Sequence, residues 1–254
     1  LAAYAAAAGI RSHVFLPSDT PRVNVQETSF FGSAVHLVDG VISDAARAMQ
    51  ERRKTEGWFD MSTMKEPYRL EGKKTMGYEL AEQCGWTLPD VILYPTGGGT
   101  GLIGMWKAFD EMERLDWVDG RRPRMVSVQM TGCAPVVKAF EARASKTEFW
   151  EGAQTEASGL RVPKAFADHL ILSALYESGG RAVAVTDAQA LGAMRSAART
   201  EGLLLCPEGA AALAALPALT ASGFLGGGEK VVLFNTGSGY KYAEILERFA
   251  AAGH

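Results

Sequence analysis

Two glycine-rich segments hold the residues best suited to chemistry. The first, YPTGGGTGLIGMW at residues 94–106, follows the apolar run VIL and leads into the helical-looking LIGMWKAFDEM. Each glycine gives up more backbone entropy on folding than any other residue, so four within five positions call for a reason. Consecutive small residues let several backbone N–H groups point into one concavity, a nest for an anion. The helix that follows adds the positive end of its dipole. A single phosphate needs no more. A tight turn under close helix–sheet packing is the plainer explanation, although such a turn rarely needs so many glycines. The second segment, NTGSGYKY at residues 235–242, follows the apolar VVLF. Strand ends in an α/β sheet are where ligands sit. The Thr236 hydroxyl can donate to, or accept from, a heteroaromatic nitrogen.

Gly99, Thr100, Gly101, Leu102, Ile103 and Gly104 also match G-x-G-x-x-G between a strand and a helix, the setting of a dinucleotide site. Such a site wants a carboxylate about 20 residues on, at the end of the next strand, to hold a ribose. That strand ends in VQMT, with Gln129 and Thr131 in place of an acid. The pattern therefore argues for one phosphate and against a nicotinamide dinucleotide. Other chemistries find little support. His13, His36, His169 and His254 are not at metal-ligand spacing. Neither a G-x-S-x-G elbow nor a G-x-x-x-x-G-K-[ST] loop occurs.

The elements that must position these loops fit a chain of 254 residues, 47% hydrophobic and 22% charged, with net charge −3. That is an ordinary globular composition with no basic stripe for nucleic acid. It has no apolar run near the roughly 18 residues of a membrane span. Cys84, Cys133 and Cys206 are too scattered for a zinc or disulfide framework. They read as idle thiols in a reducing cytoplasm.

LAAYAAAAGI at residues 1–10 reads as the second half of a helix ending at Gly9. It lacks the basic and apolar regions of a signal peptide; a helix without its start leads to the expectation that the chain is cut from something longer. Residues 13–17 and 34–38 read as strands and 21–31 as a helix. Val41, Ile42, Ala45, Ala46 and Met49 form a helical stripe that Ser43 and Asp44 can cap. Residues 1–57 thus alternate as a parallel sheet requires. Residues 58–70 lack a period and suggest a domain change. Helices are expected over 72–85 (Met76, Leu80 and Ala81 inward), from the glycine loop to 115, and over 134–141, 187–201 and 207–219. Strands are expected at 91–94, at 124–130 and from 230 into the second glycine turn. Residues 146–163 read as irregular.

Together these pieces resemble the fold-type II pyridoxal phosphate enzymes, the tryptophan synthase β-like group, and within it the threonine synthases. YPTGGGTG is similar to the group's phosphate-cradling loop. PYRLEGKKT is similar to the segment that opens its returning large domain, CPEGAAALAAL to its Ala-rich helix, and FNTGSGYKY to the turn bearing the pyridine-nitrogen partner. VFLPSDTP and VHLVDG fit its small domain, so the resemblance covers essentially the whole chain.

The resemblance implies an α/β fold of two three-layer domains with mostly parallel sheets. A small inserted domain would cover residues 1–65, incomplete at its N-terminus. A large cofactor-binding domain would cover 66–254 and lack its N-terminal part. Pyridoxal 5′-phosphate is the implied cofactor, its phosphate bound by Gly97, Gly98, Gly99, Thr100 and Gly101. Thr236 would face the ring nitrogen, a neutral hydroxyl suiting an unprotonated pyridine. Arg69 is similar to the arginine that holds the substrate phosphate in threonine synthases. The implied reaction converts O-phosphohomoserine and water to threonine and phosphate, in a cytoplasmic homodimer serving amino-acid biosynthesis. A threonine/serine ammonia-lyase or β-replacement enzyme is an alternative on the same fold. A non-catalytic ligand-binding fragment is one of another class.

Two features depart from the resemblance. The group's Schiff-base lysine lies in an S-x-K-D-R-like motif and its ring-stacking Asn in an S-x-G-N turn. Both precede the Ala-rich helix with which this chain starts, and neither occurs here. The expectation is a fragment without the catalytic lysine, inactive by itself, with Lys73 and Lys74 as solvated charges at a helix start. In addition, Glu66 stands where close threonine synthases have Asn before the proline, and a carboxylate there would repel a phosphate.

Overall fold

The computed structural model describes residues 1–251; His254 lies outside them. Among the described residues, six strands form two sheets, and every pairing is parallel. The first sheet pairs β1 (His13–Pro17) with β2 (Ala34–Val38), His13 opposite Ala34. Parallel neighbours need a crossover, here α2 (Arg22–Phe30). Helices α1 (Ala2–Ala7) and α3 (Ile42–Glu56) complete this part. The cap of α3 differs from expectation. Val41 is the N-cap and Asp44 sits in the first turn, where its Oδ2 accepts from the Val41 amide at 2.9 Å. Asp44 thus caps from inside the helix.

The second sheet has the order β5–β4–β3–β6, with β3 at Val91–Pro95, β4 at Arg124–Met130, β5 at Arg181–Val185 and β6 at Val231–Leu233. Every residue of β3 is buried, the mark of a strand covered on both faces. Side chains alternate across a strand. Ile92 and Tyr94 therefore enter one core with Leu102, Phe109 and Ile171, while Val91 and Leu93 enter another with Ala211, Ala212 and Leu219. Helices α4 (Tyr68–Gln83), α5 (Thr100–Arg114), α6 (Pro135–Glu141) and α7 (Asp168–Glu177) build the first core. Helices α8 (Asp187–Glu201), α9 (Pro207–Ala214) and α10 (Leu216–Ala221) build the second. The sheet is thus sandwiched between helix layers, and the chain adopts the expected α/β architecture with parallel sheets. The fully buried Phe109 is typical of its packing; truncating such a side chain to Ala costs about 3–5 kcal/mol.

Two glycines bring α4 and α5 together. A Cβ on Gly77 would stand 2.7 Å from the Ala108 Cβ, and one on Gly104 would stand 3.0 Å from the Lys73 carbonyl carbon. Helix α4 begins at Tyr68, earlier than expected, just after Pro67, while the Glu66 carboxylate accepts from the Arg69 amide at 3.1 Å. Helix α7, β5 and α11 (Ala243–Ala251) lie where the sequence pattern gave no element. The Ala-rich stretch is two helices, because Pro217 in the first turn of α10 has no amide to extend α9.

Candidate functional site

From β3 the chain crosses to β4 on one side, and its last strand, β6, docks on the other side. Ligands in open α/β sheets bind where the strand order reverses in this way, beyond the carboxyl ends. The glycine loop follows β3 and the NTGSG turn follows β6, so both reach the same place. They line an open cavity of about 480 Å³ with Lys73 of α4, Asn24 and Glu27 of α2, and Cys206 and Glu208 at the start of α9.

The loop is held from below. The buried Thr96 donates its amide to the Val128 carbonyl at 2.8 Å and its hydroxyl to the Tyr94 carbonyl at 2.9 Å. Gln129, fully buried on β4, donates to the Thr96 carbonyl at 3.1 Å. Its Oε1 accepts from the amides of Val136 and Val137 at 2.8 and 3.2 Å. Gln129 stands where a dinucleotide site would place its ribose acid, and its bonds are all internal.

The glycines answer both to packing and to the cavity. A Cβ on Gly97 would collide with the Gly159 carbonyl oxygen, and one on Gly101 with the Tyr94 hydroxyl. Gly99, the N-cap of α5, has φ +75° and faces Ile171. Close packing therefore accounts for the absence of side chains. It leaves the amides over: those of Gly97, Gly98, Gly99, Thr100 and Gly101 donate to no carbonyl among the described residues. The four leading amides of a helix have no partner inside it and face whatever lies beyond its end.

On the facing wall, Asn235 Oδ1 accepts from the Cys206 amide at 3.3 Å and from its thiol at 3.4 Å, tying the turn to α9. This places Thr236, Gly237 and Ser238 on the cavity. Burial pushes the Cys206 thiol up to about 11, so it is neutral near pH 7 and not a poised nucleophile. Glu208 is buried and accepts from the Gly159 amide at 2.9 Å and from the Tyr242 hydroxyl, which also meets Ser158 Oγ at 2.9 Å. Burial, and then the Glu208 carboxylate, raise the Tyr242 pKa well above its usual value, so it stays a protonated donor.

The residues named from sequence separate here. Gly97, Gly98, Gly99, Thr100, Gly101 and Thr236 line one cavity. Arg69 is not among the lining residues. Its guanidinium donates to the Met61 carbonyl at 2.6 Å and to Thr63 Oγ1 at 3.4 Å, and Thr63 does line the cavity. Of the two lysines expected to be solvated, Lys73 is exposed and Lys74 is not free. Lys74 bridges Glu71 at 2.6 Å and Glu111 at 2.7 Å, and Lys73 lines the cavity. His13 and His36, 23 residues apart, meet at 3.2 Å because β1 and β2 are neighbours. Arg52 lies 3.0 Å from His36, which disfavours a bound cation, and no cluster suited to a metal occurs among the described residues. Sequence reasoning set Lys73 aside as a solvated charge and missed Cys206, Glu208, Lys241 and Tyr242. All four missed residues lie inside the CPEGAAALAAL and NTGSGYKY segments already singled out.

Comparison with known proteins places this arrangement in context. Residues 1–237 match the family described as pyridoxal-phosphate dependent enzyme. The chain is 32% identical over 242 residues to the threonine synthase of Methanocaldococcus jannaschii, covering 95% of this chain and 59% of that protein. It is 34% identical over 238 residues to that of Methanosarcina acetivorans, covering 93% and 58%. It thus spans about three fifths of the length of these curated relatives. Among solved structures, an L-serine ammonia-lyase from Rhizomucor miehei superposes with a TM-score of 0.75 at 22% identity, covering 98% of this chain and 78% of that one. Maize serine racemase gives 0.74 at 19%, covering 100% and 74%.

Proposed function

The chain belongs to the pyridoxal-phosphate dependent enzyme family, and we propose that it is part of a threonine synthase-like enzyme converting O-phosphohomoserine and water to threonine and phosphate. The observation that carries this reading is the pairing of two walls: unpartnered amides of a glycine loop after β3, and a hydroxyl-bearing turn after β6. The threonine synthases among its relatives give the reading its substrate.

The residues present fit the cofactor. Gly97, Gly98, Gly99, Thr100 and Gly101 would hold its phosphate with backbone N–H groups and the start of the α5 dipole. Thr236, on the facing wall, would meet the ring nitrogen with a neutral hydroxyl. Bound there, pyridoxal phosphate supplies an electron sink for the substrate's carbon skeleton. The chain's own part is to bind and orient. Tyr242, held protonated, donates to Glu208 and so holds that carboxylate in the wall of the cavity. Arg69 belongs to substrate recognition in this reading, because it braces Met61 and Thr63 and Thr63 lines the cavity.

The test is release of inorganic phosphate and threonine from O-phospho-L-homoserine by the cofactor-loaded enzyme of which this chain is part. Arg69→Ala should abolish that turnover while the protein keeps its cofactor. Unchanged turnover in this variant would remove Arg69 from the reading. One observation favours a second reading, an ammonia-lyase: the Arg69 guanidinium is bound to Met61 and Thr63 and does not line the cavity, and such a reaction needs no second phosphate contact. Formation of 2-oxo acid from threonine or serine, without phosphohomoserine turnover, would select it.

A further inference from the structure

We propose that Lys73 is a phosphate-binding residue of this cavity, an inference that rests on the cofactor and substrate reading above. Four charged residues line the cavity: Glu27, Lys73, Glu208 and Lys241. Glu27 and Lys241 form an ion pair with each other, and Glu208 is bound by Gly159 and Tyr242. Lys73 alone has no such partner. Among the described residues it forms no ion pair, whereas its neighbour Lys74, and Lys107 on α5, share Glu71 and Glu111.

The packing of α4 on α5 fixes where the exposed Lys73 side chain begins. The place a Gly104 Cβ would take lies 3.0 Å from the Lys73 carbonyl carbon and 3.1 Å from its Cβ. A Cβ at 104 would press on this stretch of α4, which would have to yield slightly. Gly104 lies one turn into α5, and one helical turn rises about 5.4 Å, within the span of a lysine stem. The ammonium can therefore reach an anion resting on the free amides of the glycine loop. A compact ammonium at that distance serves as a point charge for phosphate.

The cofactor and the substrate each carry a phosphate, and the test separates them. Lys73→Gln and Lys73→Arg are compared with wild type in two measurements. One is equilibrium titration of the apoprotein with pyridoxal 5′-phosphate. The other is the KM and kcat of the loaded enzyme of which this chain is part, for O-phospho-L-homoserine. Lys73→Gln should weaken at least one of the two phosphate ligands by about tenfold or more, the scale of a hydrogen bond to a charged group. Lys73→Arg should restore it to within about threefold. Weakened cofactor binding assigns Lys73 to the cofactor phosphate. A raised KM at unchanged kcat and unchanged cofactor binding assigns it to the substrate. Unchanged values in both measurements, or equal losses in both variants, overturn the proposal. If the whole enzyme of which this chain is part does not turn over O-phospho-L-homoserine, the proposed reaction falls on its own. Lys73 is then decided by the cofactor titration together with titration of inorganic phosphate into the loaded protein: loss of either in Lys73→Gln supports it, and loss of neither overturns it.

Discussion

The Gln129 amide donates to the Thr96 carbonyl at 3.1 Å, so the base of the glycine loop hangs from the side chain of the neighbouring strand. The same side chain accepts from Val136 and Val137 at the start of α6. One residue therefore fixes the height of the loop and the entry of a helix.

Removing that tie should loosen the cradle. Gln129→Ala strands one buried carbonyl and two amides, and unsatisfied buried groups cost about 1–3 kcal/mol each when water cannot reach them. A net loss of about 2–4 kcal/mol is expected in urea unfolding, with weaker cofactor binding. A variant that unfolds at the wild-type midpoint would show that Gln129 is not the tie.

Gly99→Ala tests the left-handed turn. An alanine at φ +75° is strained and its Cβ meets Ile171. Destabilisation of about 1–3 kcal/mol is expected, and cofactor retention should fall further than stability alone explains, because the α5 amides re-aim. Calorimetry of apoprotein and loaded protein separates the two losses, and a loaded variant with the wild-type Tm shift would argue against the cradle.

Thr236→Val keeps the shape of the side chain and removes its hydroxyl. Cofactor affinity should drop by about five- to tenfold, the size of one hydrogen bond, with the apoprotein Tm nearly unchanged. Wild-type affinity in this variant would mean that the ring nitrogen is satisfied elsewhere.

Alkali should destabilise the fold through its buried thiols. Burial pushes Cys133 and Cys206 up to about 11, above the ordinary value of 9.0. A raised acid favours folding while it stays neutral. That contribution is complete below about pH 8.5 and is lost as pH rises toward 11, by about 2 kcal/mol for each thiol. Urea midpoints measured between pH 8 and 10.5 should fall, and Cys133→Ala with Cys206→Ala should flatten the decline. An equally steep decline in the double variant would place the alkaline sensitivity elsewhere.

Several parts of this arrangement could be read from the residues. The glycine loop and the Thr236 turn announce themselves by composition, and β1 and β2 match their expected bounds. What escaped depends on distant partners. Helix α7 starts at Asp168, whose carboxylate accepts from the Thr147 amide and hydroxyl, both at 2.7 Å, a bond spanning 21 residues. The placing of Lys73 depends on Gly104 in another helix, and the meeting of His13 with His36 depends on strand register. Glu208 and Tyr242 become neighbours only when the chain end folds beside α9.

The adjacency of β3 and β6 also bears on how the protein comes to be made. Asp90 Oδ2 accepts from the Lys230 amide at 2.7 Å across 140 residues of chain. Closing so long a loop is entropically late work. During synthesis the glycine loop can exist as a turn well before its facing wall has left the ribosome. The cofactor would then favour the final strand's docking, since a ligand that needs both walls stabilises only the state that has them. Growth of cells short of vitamin B6 should therefore lower the yield of folded protein, and not merely leave it unloaded.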